Sequence, residues 1–130
     1  MGRPRVRHTG AGNIAANLRF IAHKYPAKVG RGVVAELKTE LPEVVKRTPI
    51  EEGDLRESER IEGPFQQGKV ISAAIAAGNE EVDYAYDQHE NMEYYHDEGG
   101  PKFIESVLFE SRPYLGERVA KRIRIDEKDF

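Results

Sequence analysis

An α+β fold is predicted, with N-terminal helices, a small antiparallel sheet and a C-terminal helix packed on it. Three observations predict it. Apolar residues recur at helical spacing before residue 45 and again after residue 103, while between them Lys69–Ala76 reads as strand. Helices at the two ends of the chain and strands between them bury their apolar sides best as helices layered on one face of a sheet. A chain of 130 residues without solenoid-length repeats supports one such core.

The opening MGRPRVRHTGAG is rich in Arg and Gly and poor in apolar residues. Residues 1–12 are therefore expected to be a flexible basic arm, 13–123 the domain, and 124–130 a tail. In NIAANLRFIAHKY, Ile14, Leu18 and Ile21 share a helical face and Asn13 suits an N-cap, which predicts a first short helix. Pro26 fits the first turn of a second, along which Val29, Val33, Leu37, Leu41 and Val44 form a stripe. Pro42 removes a donor inside that stripe and predicts a kink rather than a stop. The GAG at 10–12 and GRG at 30–32 lack the strand and further glycines of a phosphate loop and read as breakers.

Pro49 disfavours helix at Thr48, a loop turns at Gly53, and a first strand is expected near Ser58–Glu62. In Lys69–Ala76, Val70, Ser72 and Ala74 alternate with Ile71, Ala73 and Ile75, so both faces are expected to be covered. Ala77-Gly78-Asn79 supplies a turn, and Glu81–Gln88 alternates as a half-buried strand with Val82, Tyr84 and Tyr86 on one side. Beyond Gly99-Gly100, Phe103, Ile104, Val107 and Leu108 mark the last helix. Pro113 is expected to bend or restart it before Leu115, Val119 and Ile123.

Chemistry is thinly represented. The absence of cysteine removes disulfides, thiolate nucleophiles and cysteine-ligated metals, and fits an intracellular folding compartment. No apolar run approaches a membrane span or a signal core, so a soluble protein without membrane contact is expected. The histidines of HENMEYYHDEGG are seven apart, not four as in a zinc-protease helix, and nothing nearby separates the acidities of Glu90 and Glu93. No serine stands in a nucleophile elbow. The reading is a protein without catalytic residues, metal or cofactor.

Charge is polarised: residues 1–50 carry ten Lys/Arg against three Asp/Glu, and residues 51–100 carry three against fourteen. Such polarity suits self-association or nucleic-acid contact. Arg3, Arg5 and Arg7 are candidate phosphate or partner contacts, and a small nucleic-acid-binding module using that arm is the alternative function. Tyr84, Tyr86, Tyr94 and Tyr95 lie among carboxylates that would repel a stacked strand, and they read as core or interface.

Three stretches, in order, resemble a family of small phage morphogenesis proteins described as minor tail components, tail-completion or head-to-tail joining proteins. KRTPIEEGDLRES is similar to a TPvdTGxLRxS motif through Thr48, Pro49, Ile50, Gly53, Leu55, Arg56 and Ser58, with Glu51-Glu52 replacing Asp-Thr. YAYDQHEN is similar to YAxxvHEn through Tyr84, Ala85, His89, Glu90 and Asn91, with Gln88 replacing an apolar residue. GGPKFIE resembles GxxKFLE through Gly99, Lys102, Phe103, Ile104 and Glu105.

The resemblance implies a structural virion protein of the tailed-phage neck. Its copies would form a homo-oligomeric ring between portal and tail, six-fold when it caps the tail and twelve-fold when it rests on the portal. Implied partners are portal, adaptor or stopper proteins and the tail tube protein. DNA would pass through the channel without sequence-specific binding, with the acidic middle segment lining it or pairing with a neighbour's basic helix. HENMEYYHDEGG then becomes an assembly loop, with the motif residues as assembly positions.

Overall fold

The computed structural model describes residues 5–8, 14–48, 53–78 and 103–124. The elements are strands β1 (Arg5–His8) and β2 (Ile14–Ile21), helix α1 (Pro26–Arg47), short helix α2 (Gly53–Glu57), strands β3 (Arg60–Gln67) and β4 (Val70–Ala77), and helix α3 (Phe103–Ile123). The sheet is antiparallel in the order β1-β2-β4-β3. Helices α1 and α3 pack on each other and on one face of this sheet, α1 over β3 and β4 and α3 against β2. This is the α+β layering expected, with the C-terminal helix on the sheet.

The expected first helix at residues 13–25 is a strand. Ile14, Ala16, Leu18 and Phe20 all point into the main core, whereas Arg19 and Ile21 on the alternate positions are exposed. Ile14 and Leu18 share a face at either period, so helical spacing could not separate the two. The decision is made by β4, whose apolar strand needs a partner on its second edge and takes all eight residues from Ile14↔Ala77 to Ile21↔Val70. The same need explains β1. Residues 5–8, expected within a free arm, pair with β2 from Arg5↔Asn17 to His8↔Ile14 and cover an edge that would otherwise leave backbone groups unpaired.

Helix α1 follows its predicted stripe. Val29, Val33, Leu37 and Val44 are buried and Leu41 packs against the same core. It starts at Tyr25, in the left-handed region at φ 57°, with Pro26 in the first turn and without a side-chain cap. Lys46 and Arg47 lie in the last turn, where cations complement the carbonyl end. Both internal prolines, Pro42 and Pro113, face solvent, as do Lys38 and Phe109 four residues earlier, so each freed carbonyl can bond water and each helix continues as one element.

Gly30 and Gly32, expected to break the helix, lie inside α1 on its buried side. A Cβ on Gly32 would stand 2.9 Å from Ile123 and 3.0 Å from Val119, so the missing side chain lets α3 approach. The strand expected near Ser58–Glu62 runs further, to Gln67, with an irregularity between Glu62 and Phe65. Gly63 sits there at φ 114°, and a Cβ would meet the Ala73 backbone at 3.1 Å, so glycine alone suits both the torsion and the space. Where a loop was expected at Gly53, one short helix forms. The predicted strand Glu81–Gln88 and the turn at Asn79 lie outside the described residues.

Leu37 is fully buried between the helices and the sheet. Leu37→Ala is expected to lower unfolding free energy by about 2–5 kcal/mol with little change in the urea m-value, as read by equilibrium denaturation.

Candidate assembly site

The most specific sequence motif folds into a corner. Thr48 ends α1, and its backbone N–H donates to the Val44 and Val45 carbonyls at 3.0 and 3.2 Å. Arg56, on α2, returns to this helix end and donates from Nε and Nη2 to the Thr48 carbonyl at 2.9 and 2.6 Å, and from Nη2 to the Lys46 carbonyl at 3.3 Å. A guanidinium fork thus caps the carbonyl terminus with fixed geometry. Ser58 closes the corner on its other side. Its hydroxyl donates to the Leu55 carbonyl at 2.7 Å and accepts from the Gly78 N–H at 2.8 Å, while Leu55 inserts fully into the core. Arg60 Nη1 donates to the Ser58 and Gly78 carbonyls, tying the start of β3 to the end of β4.

Glu59 lies at the centre of this corner. Thr48 Oγ1 is 2.8 Å from the Val44 carbonyl and 2.9 and 2.8 Å from the two Glu59 oxygens. A hydroxyl has one hydrogen to give. The Val44 carbonyl already accepts from the Thr48 N–H, so the hydroxyl can donate to the Glu59 carboxylate, which favours its charged form. Burial favours the neutral form. It raises the Glu59 pKa from 4.5 to about 7, against the lowering influence of the Thr48 hydrogen bond and the Arg56 charge.

A second polar cluster seals the seam between the helices. Glu36 and Glu40, one turn apart on α1, are almost fully buried and meet Arg118 and Arg122, one turn apart on α3. Arg122 Nε donates to Glu36 at 2.9 Å, Arg118 Nη1 to Glu40 at 3.3 Å, and the Ser111 hydroxyl to Glu40 at 2.8 Å. Desolvation raises the Glu40 pKa, with the Ser111 hydrogen bond opposing it. Further along, Arg47 pairs with Glu43 and Glu110 and donates to the Ser106 hydroxyl. The open cleft lined by Glu36, Thr39, Glu40, Arg118, Lys121 and Arg122 is therefore occupied by its own ion pairs.

The structure thus brings Thr48, Leu55, Arg56 and Ser58 together, with Gly53 opening α2 beside them. Phe103 starts α3 and is buried in the core, away from solvent. Arg5 and Arg7 occupy the edge strand β1. Pro49, Tyr84, Ala85, His89, Glu90, Lys102 and Arg3 lie outside the described residues, as does the whole of HENMEYYHDEGG.

Glu59 stands one place after the last residue of the resembling motif and bears no mark of its role in the sequence. The Glu36/Glu40 pair was also missed, though two acids four apart on α1 and two arginines four apart on α3 are a legible sign of a cross-helix network. Among the described residues no group of three or more His, Cys, Asp or Glu could hold a metal, and no helix is long and apolar enough to cross a membrane. No family model, curated protein or solved structure matches the chain.

The Glu59 geometry predicts a pH response. Its folded pKa is raised, so its contribution is complete below about pH 4.5 and is lost as pH rises through about 7. Across that window the wild type should lose on the order of 2 kcal/mol relative to Glu59→Gln, whose amide donates to Thr48 at every pH; denaturant titrations at each pH measure the difference. Arg56→Lys, which keeps the charge but not the fork, should cost about 1–2 kcal/mol and leave that pH difference in place.

Proposed function

We propose that this chain is a structural protein of the tailed-phage neck, a ring-forming joint between the portal assembly and the tail, and not an enzyme. The observation that carries the reading is the fate of the most specific resembling motif. Thr48, Leu55, Arg56 and Ser58 are consumed in building a rigid corner: Arg56 and Ser58 bond backbone carbonyls and an amide, Leu55 fills the core, and the Thr48 hydroxyl is held by Val44 and Glu59. A motif used in this way preserves a shape. What the shape presents is contact surface: Phe109 on α3 and Ile21, Phe65 and Val70 on the sheet are large apolar side chains 40–64% exposed. Exposed aromatic and branched side chains among charges are what an assembling subunit offers its neighbours. A ring built from such copies uses one surface against a different one, with rotation closing the set.

The rival reading, nucleic-acid binding through Arg3, Arg5 and Arg7, makes a different demand. It predicts DNA retardation by the isolated protein that fades with salt and disappears when the three arginines become alanine. The neck reading predicts assemblies of six or twelve copies in mass measurements at raised protein concentration, and labelling at the head-tail junction when an epitope-tagged chain is incorporated into virions. A chain that stays monomeric at every concentration and labels no particle overturns it.

A further inference from the structure

The face of the sheet turned away from the helices has two unlike halves. At the end where β4 finishes, Ala15, Ala74 and Ala76 are buried. At the opposite end, where β3 turns into β4, the register sets Ile21 opposite Val70 and Phe65 opposite Ser72 on this same face. Ile21, Val70 and Phe65 are therefore close neighbours across three strands, and they are 58%, 40% and 55% exposed. Exposed Arg19 and Lys69 flank them. Residues 18–31 and 64–72, which build this end, contain Arg19, Lys24, Lys28, Arg31 and Lys69 and no Asp or Glu.

The opposite charge is concentrated in one stretch of chain. Residues 79–100 hold eight Asp/Glu, four tyrosines and no Lys or Arg. Both points where this stretch joins the described fold lie at the far end from the apolar patch. Gly78 is bonded to Ser58 and Arg60 in the motif corner, and α3 begins beside the same corner, where Arg47 reaches Ser106. The eight residues of β4 between Val70 and Ala77 separate the two ends by about 23 Å. One end of the subunit is thus basic and apolar, and the acidic, aromatic stretch is tethered at the other.

We propose that the exposed sheet face formed by Ile21, Phe65 and Val70 receives the acidic tyrosine-rich stretch 79–100 of a second copy, head to tail. Tyrosine rings supply apolar area for Phe65 and Val70, while the carboxylates meet Arg19 and Lys69. The contact joins unlike surfaces, so it repeats from copy to copy and closes only as a ring. It rests on the self-association reading above and names the surfaces that reading leaves open.

The test mixes full-length chain in isotopically heavy and light forms and joins lysines to carboxylates with a zero-length carbodiimide, beside sedimentation velocity on the same samples. The expected result is heavy–light peptide pairs linking Lys69 to carboxylates of 79–100. The assembly should fall at least tenfold in Lys69→Glu and in Phe65→Ser, the Lys69 pairs should fall with it in Phe65→Ser, and both should fall with salt between about 0.05 and 0.5 M. Lys69 is exposed, so its variant keeps the fold and guards against a Phe65→Ser that fails to fold. If assemblies form but Lys69 links only within heavy or within light chains, the stretch sits on its own subunit. The head-to-tail contact is then overturned while the ring reading stands. Assembly undiminished in both variants overturns the contact in the same way, and a chain that never assembles overturns both.

Discussion

The fold turns on the buried corner where α1 ends. There the Thr48 hydroxyl lies within hydrogen-bond reach of the Val44 carbonyl and of both oxygens of buried Glu59. With Arg56 bonded to the Thr48 carbonyl, these contacts tie three elements together: the end of α1, the short helix α2 and the start of β3. A buried polar group left unmatched here would cost about 1–3 kcal/mol, a large part of a small domain's margin.

The seam shows the same logic with full charges. Glu36 and Glu40 are taken out of water beside Val33 and Leu37, which is costly unless partners arrive with them. Arg118 and Arg122 arrive from α3, and because both pairs are spaced one turn apart they fit only one sliding position of the two helices. Gly32 reinforces that position by admitting Val119 and Ile123 close to the α1 backbone. The seam therefore contributes alignment more than raw stability, and apolar packing around Leu37 and Leu108 supplies the rest.

Much of the architecture was legible in the sequence. The stripe from Val29 to Val44 and the apolar face from Phe103 to Val119 each declare a helix, and the alternation through Val70–Ala76 declares a strand whose two faces are separable. The failures are instructive. Ile14 and Leu18 satisfy both helical and strand periods, and only the unpaired edge of β4, a long-range fact, chooses between them. Gly30 and Gly32 look like breakers because local propensity says nothing about a second helix pressing close. At the motif corner, matched residues were visible but their task was not. Glu59 is buried at the centre of the corner, yet as one acid among many in an acidic stretch it has no local mark of burial.

The sheet order has a consequence for the chain's beginning. Strand β2 precedes everything except β1, yet it lies in the interior of the sheet, bonded to β1 on one side and to β4 on the other. Its pairing with β4 closes a loop that contains both α1 and the corner, so the central ladder is assembled from distant parts of the polypeptide and carries a large closure entropy. A shortened chain starting after Ile21 would thus be missing a keystone rather than an ornament.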